Sequence, residues 1–151
     1  MIKSISLFDI NSQNISFTNA SGKKNLLADN KTDERLKVPN IRRRMKMHCH
    51  AKSMKNPCLL PINLDKFDRY YKQDIFYLDE DYHDILCDNF VKFLKTGNEI
   101  QSPHVELYEK NGKLLVACVD GRHRYRILKN MGMKVMPMTM SEESKQLAQK
   151  Q

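Results

Sequence analysis

A long apolar run is the first thing this sequence lacks. Nothing in its 151 residues approaches the roughly 18 consecutive apolar positions that mark a membrane-crossing helix. The first residues also lack the apolar block of a secretory signal, so a soluble, cytoplasmic protein is expected and a membrane partner is not. Cysteine is scarce, and Cys49, Cys58, Cys87 and Cys118 show no paired spacing. That argues against a disulfide scaffold and predicts reduced thiols. No segment repeats another, which removes repeat architectures. What is present is enough apolar residue, 40% of the chain, to build one core of ordinary size.

Positive charge is abundant and unevenly placed, and the net +8 hides three zones. Residues 33–61 carry eight Lys or Arg against two acidic residues, and residues 120–134 carry five against one. Between them, residues 62–110 carry six against eleven. Two basic blocks thus flank an acidic middle. If they converge in space, as we expect, they make a positive face suited to nucleic acid or a polyphosphate. The Lys-, Asn- and Ile-rich composition also suits a phage or mobile-element protein.

Hydrophobic periodicity orders the rest. Ile5 and Leu7, then Ile15 and Phe17, alternate with polar neighbours across Asn11-Ser12-Gln13-Asn14, the pattern of a β-hairpin over residues 1–17. Residues 18–34 are polar and read as a linker. In residues 35–56, densest in charge at Arg42, Arg43, Arg44 and Lys46, apolar residues are too sparse to choose helix or strand. Cys58, Leu59, Leu60, Ile62 and Leu64 predict a strand that Pro61 confines to an edge or a bend. Tyr82, Ile85, Leu86, Phe90, Phe93 and Leu94 share one helical stripe, with Asp79 to Asp81 favouring its start and Gly97 its stop. Val105, Leu107 and Tyr108 alternate into a strand joined through Asn111-Gly112 to a second, Leu114 to Val119. A helix follows over Tyr125, Ile127, Leu128 and Met131, closed by Gly132, and then a short strand to Met140. The prediction is an α+β fold, a small mixed sheet with a few helices. Three regions follow: residues 1–56 as hairpin, linker and basic extension, residues 57–140 as the folded domain, and residues 141–151 as a polar, frayed tail.

Chemistry concentrates at Val119-Asp120-Gly121-Arg122-His123-Arg124-Tyr125, where the apolar strand gives way to a helix. The first-turn amides of a helix are unpaired and carry the positive end of its dipole, and guanidinium groups add charge and fork geometry. Phosphate is the ligand such a corner suits best.

The segment from Ser102-Pro103-His104-Val105-Glu106-Leu107 through Asp120-Gly121-Arg122-His123-Arg124 to Leu128, Gly132, Val135 and Pro137 resembles the ParB/sulfiredoxin superfamily. There a strand pair leads into a glycine turn with His-Arg or Arg-Arg, then a helix, then a short strand ending in Val-Pro. The likeness covers about residues 57–140, and Leu60-Pro61-Ile62-Asn63-Leu64 resembles the family's opening strand. Sulfiredoxins need a cysteine just before the His-Arg pair, where this chain has Arg122, so that activity is not expected. Segregation clamps carry a helix-turn-helix after this domain, and only fourteen residues follow Pro137 here, so DNA segregation is not expected either. The resemblance implies the branch of serine kinases, ParB-like nucleases and DNA-modification accessory proteins, with Asp120 as an acid/base or metal-facing group.

Three functions are compatible with this reading. The first is a ParB-like endonuclease or nickase that hydrolyses phosphodiesters of DNA. Asp120 would hold Mg²⁺ or orient water, His123 and Arg124 would take part in catalysis, and Gly121, Arg122 and Arg124 would bind phosphate. Arg42, Arg43, Arg44, Lys46 and Arg126 would contact the DNA backbone. The second is a nucleotide-binding switch or phosphotransferase for ATP or CTP. The third is a non-catalytic DNA- or protein-binding inhibitor. Residues 1–56 are open to three roles: a DNA-reading arm, a protein-partner site, or a dimerisation element.

Two features are set aside. His48-Cys49-His50, with Cys58 eight residues beyond, has metal-ligand residue types. Adjacent residues rarely coordinate one tetrahedral ion, so a basic loop is expected there. Met131, Met133, Met136, Met138 and Met140 are expected to pack the core, as are Tyr70, Tyr71, Phe76 and Tyr77 in preference to stacking on unpaired bases.

Overall fold

The computed structural model describes residues 33–82 and 85–150. The hairpin expected over residues 1–17 and nearly all of the linker lie outside them. In chain order the elements are α1 (Val38–Arg44), β1 (Met45–Lys46), β2 (Cys58–Asn63), α2 (Leu64–Tyr71), α3 (Ile85–Leu94), β3 (Ile100–Gln101), β4 (His104–Lys110), β5 (Lys113–Asp120), α4 (Arg122–Asn130), β6 (Val135–Met140) and α5 (Glu142–Lys150). Short 3₁₀ turns cover Glu34–Leu36 and Cys49–Ser53. This is an α+β fold, with a four-stranded sheet in the order β2-β6-β4-β5 and a two-stranded parallel ribbon of β1 and β3. Among the described residues no helix is long and apolar enough to cross a membrane.

Proline decides where this sheet is joined. Pro61 and Pro137 face each other in the antiparallel β2–β6 ladder, a place that asks neither for an N–H toward its partner. On the edge strand β2 the missing donor points outward, where it costs nothing. On β6 it points at β4. Two residues on, the Thr139 N–H reaches the Pro103 carbonyl at 2.9 Å, and His104 opposite Thr139 is the register point of the parallel β4–β6 pair. Beyond it α5 packs on β4. Ser144 Oγ accepts from the Leu107 N–H at 2.8 Å, and Ser141 Oγ caps the helix through the Ser144 N–H at 3.1 Å.

The core lies on both sides of β6, where Val135, Met136, Met138, Thr139 and Met140 are all buried. Met131 and Met133 join it, so the methionines pack the interior. On α2, Phe67 and Tyr71 meet Tyr125 of α4 with ring centroids 5.1 to 5.6 Å apart. Each such buried apolar side chain contributes about 1.5–3 kcal/mol. Tyr77 is half-buried against this cluster, while Phe76 stays exposed.

Three expectations are corrected. Leu36, Val38, Ile41 and Met45 belong to the same buried cluster as Leu94, Ile100 and Val105, so the described part of the basic extension is inside the domain and no boundary falls at residue 56. The frayed tail is α5, with Ala148 fully buried. Arg126 is enclosed, at 2% exposure. Its Nε donates to the Leu78 carbonyl at 2.8 Å, and Nη2 donates to the Tyr77 hydroxyl at 2.7 Å and lies 3.7 Å from the Asp68 carboxylate. It is a structural counter-charge and has no access to DNA.

Candidate functional site

Asp120 owes its position to an irregularity in β5. Strict alternation would place it on the buried face with Leu114, Val116 and Cys118. The β4–β5 register, however, pairs Val105 with Cys118 and His104 with Asp120, which leaves Val119 as an extra residue. Such a bulge bends the strand and re-aims the side chains after it. Asp120 therefore turns outward, 52% exposed, beside His104.

A second segment arrives from the basic block. The β1–β3 ribbon carries the chain to His48, whose N–H donates to Thr139 Oγ1 at 2.8 Å. Thr139 Oγ1 is also 2.6 Å from Ser102 Oγ, and the Cys49 N–H donates to Gln101 Oε1 at 2.8 Å. Anchored this way, the His48 ring is 2% exposed and places Nε2 2.5 Å from Asp120 Oδ2. Burial holds the His48 pKa below its ordinary value despite the carboxylate. Burial pushes Asp120 up, but the His48 hydrogen bond and the charge of Arg124 outweigh it and hold Asp120 below the usual carboxylate range. The pair is thus a neutral imidazole donating from Nε2 to an ionised carboxylate. His48 Nδ1 is left as an acceptor, and the His50 N–H donates to it at 3.1 Å.

A parallel arrangement stands alongside. His104 Nε2 lies 2.7 Å from Glu106 Oε2, two residues along the same face of β4. Burial pushes Glu106 up, but hydrogen bonds from Ser144, His104 and Ser141 together hold it low. His104 therefore donates from Nε2, and its Nδ1 faces His50 Nδ1 at 2.9 Å. With neutral rings His50 donates across that contact, which leaves a lone pair on its Nε2.

Gly121 opens α4 with φ +103°, and no side chain caps the helix. Arg124 folds back over this glycine, its Nη2 3.7 Å from Asp120 Oδ2. Its Nε and Nη2 are shut off from solvent without a hydrogen-bond partner. These are the donors an anion would need beside the uncapped start of a helix, though they are enclosed over Gly121 in this structure.

The motif's other members point elsewhere. Arg122 lies over the Phe76 ring at 5.1 Å, and His123 packs on Tyr82 at 5.4 Å. Residues two apart on a helix are turned about 200° from each other, so Arg122 and Arg124 do not form the expected paired clamp. His123 is likewise directed at Tyr82, and His48 takes the place beside Asp120. In the basic block, Arg44 is spent on the Leu94, Asn98 and Arg35 carbonyls, and Arg42 is half-buried. Arg43 and Lys46 are exposed. Sequence reasoning set His48 and His50 aside as a basic loop and gave His104 and Glu106 no role. A His and a Glu two apart on a predicted strand were the available signal for the last pair.

No protein-family model, curated protein or solved structure matches this chain.

Proposed function

We propose that this protein is a DNA-acting phosphodiester hydrolase, a small endonuclease that nicks one strand. The observation that carries the reading is Arg124, whose unbonded nitrogens lie within reach of the Asp120–His48 pair. Once Arg124 swings out from over Gly121, it and the first-turn amides of α4 hold the scissile phosphate and stabilise charge developing on its oxygens. His50, backed by His104 and Glu106, takes a proton from water through Nε2, and Asp120 keeps His48 oriented beside the phosphate. Arg43 and Lys46 contact the flanking backbone. The resemblance of Asp120 to Arg124 to the ParB-like nucleases supports the same reading. Mg²⁺ at Asp120 fits less well, because that carboxylate already accepts from His48 and faces Arg124.

Supercoiled plasmid incubated with the chain tests this directly. Conversion to open circles is expected, falling about 100-fold or more in Asp120→Ala and in Arg124→Ala. No conversion would overturn it. Stabilisation by ATP or CTP without cleavage would favour a nucleotide switch. Plasmid binding that survives loss of Asp120 and His48 would favour a non-catalytic binder.

A further inference from the structure

His48, Cys49 and His50 bring their ligand atoms together, with His104 beside His50, and no step of the phosphodiester reading requires the thiol. We infer that they form a binding site for a divalent transition metal of the Zn²⁺ class. The inference stands without the phosphodiester reading, and a metal on His50 would take up the ring that reading uses as its base.

The first argument is distance. Ligand atoms of His48, Cys49 and His50 all lie within 4.8 Å of one another. Cys49 Sγ is 3.7 Å from His48 Nδ1, and His50 Nδ1 is 2.9 Å from His104 Nδ1. Two ligands of one tetrahedral Zn²⁺ are separated by about 3.3 Å for a nitrogen pair and about 3.5 Å for nitrogen and sulfur, from bond lengths near 2.0 and 2.3 Å. The ring centroids, 4.1 Å for His48–His50, 5.1 Å for His50–His104 and 6.1 Å for His48–His104, leave all three imidazoles around one small volume.

The second argument is orientation. A metal-bound imidazole normally donates its other N–H to a carboxylate, which fixes the ring and raises its basicity. His48 does this through Nε2 to Asp120, and His104 through Nε2 to Glu106. Both rings therefore turn Nδ1 inward, His104 toward His50 and His48 toward Cys49 and the His50 N–H, a bond that metal binding would replace. Adjacent residues seldom share an ion because their side chains diverge. Here His48 precedes the 3₁₀ turn with extended backbone, φ −63° and ψ 150°, and its ring folds back over that turn. Nitrogen and thiolate donors select a softer ion than Mg²⁺. Binding through His50 Nδ1 moves that ring's proton to Nε2, and the thiol proton of Cys49 is released.

The test is a Co²⁺ titration of the chelator-stripped full chain, followed by Zn²⁺ displacement. One Co²⁺ per chain is expected, with the intense visible bands of a tetrahedral ion and a near-ultraviolet thiolate charge-transfer band. Cys49→Ser should remove the charge-transfer band. His50→Ala and His104→Ala should each weaken binding at least about tenfold. Cys49 and His50 are exposed, so Cys49→Ser and His50→Ala should melt like the metal-free parent. Absence of a tetrahedral spectrum, or a charge-transfer band that persists in Cys49→Ser, would overturn the site.

Discussion

At position 121 a Cβ would stand 2.9 Å from both Arg124 Nη2 and the Pro103 Cα, on a backbone at φ +103°. The backbone atom cannot give way, so Gly121→Ala should cost about 1–3 kcal/mol of stability in chemical denaturation. Gly112→Ala is strained in φ but meets nothing within 4 Å, and should cost only about 1 kcal/mol. Cysteines give a second contrast. Burial pushes the Cys118 thiol up to about 11, so almost none of it is thiolate at a pH near 8. Alkylation of the native chain at that pH should label exposed Cys49 while sparing Cys118, with peptide mass analysis as the readout. Labelling of both at equal rates would contradict the burial. That Asp120, Gly121 and Arg124 share one corner was legible from the strand-glycine-helix pattern. The displacement of His123 by His48 was not, because nothing local in sequence announces a contact between residues 72 positions apart.

Elements with a continuous apolar period were readable, and those with a polar residue on the buried stripe were not. The β4–β5 hairpin, α4 and β6 follow their patterns closely, whereas α3 starts after Tyr82, buries Cys87 and Leu94 and leaves Phe93 exposed. In α2, Leu64, Phe67, Asp68 and Tyr71 hold the i, i+3, i+4, i+7 positions of a helix face. Asp68 interrupts the apolar signal because its carboxylate accepts from the Tyr77 and Tyr125 hydroxyls at 2.8 and 2.7 Å. In α5 the buried stripe contains Ser144, which hydrogen-bonds Glu106 and the Leu107 amide. Ser144→Ala should therefore cost about 1–3 kcal/mol, far more than an exposed Ser, since it strands a buried N–H. A change within a few tenths of a kcal/mol in thermal unfolding would show that α5 does not seal β4.

At the scale of the whole molecule, the segments that carry the two basic stretches touch where His48 meets Asp120. Charge counting pointed to the two stretches. It could not say which cations stay available, because Arg44 and Arg126 are consumed by carbonyls, hydroxyls and a buried carboxylate. Replacing Arg43 and Lys46 together with Ala should weaken plasmid retention and flatten its salt dependence. Arg126→Ala should instead destabilise the fold by about 3 kcal/mol, since it leaves the buried Asp68 without its counter-charge.

The claim on which the rest depends is that His48 and Asp120 lock these distant segments into a single site. A double-mutant cycle of His48→Ala and Asp120→Ala in denaturant unfolding measures it. The coupling should be about 1 kcal/mol, the imidazole side of the bond being dry and the carboxylate side wet. Two losses that simply add would mean the contact does not exist in solution.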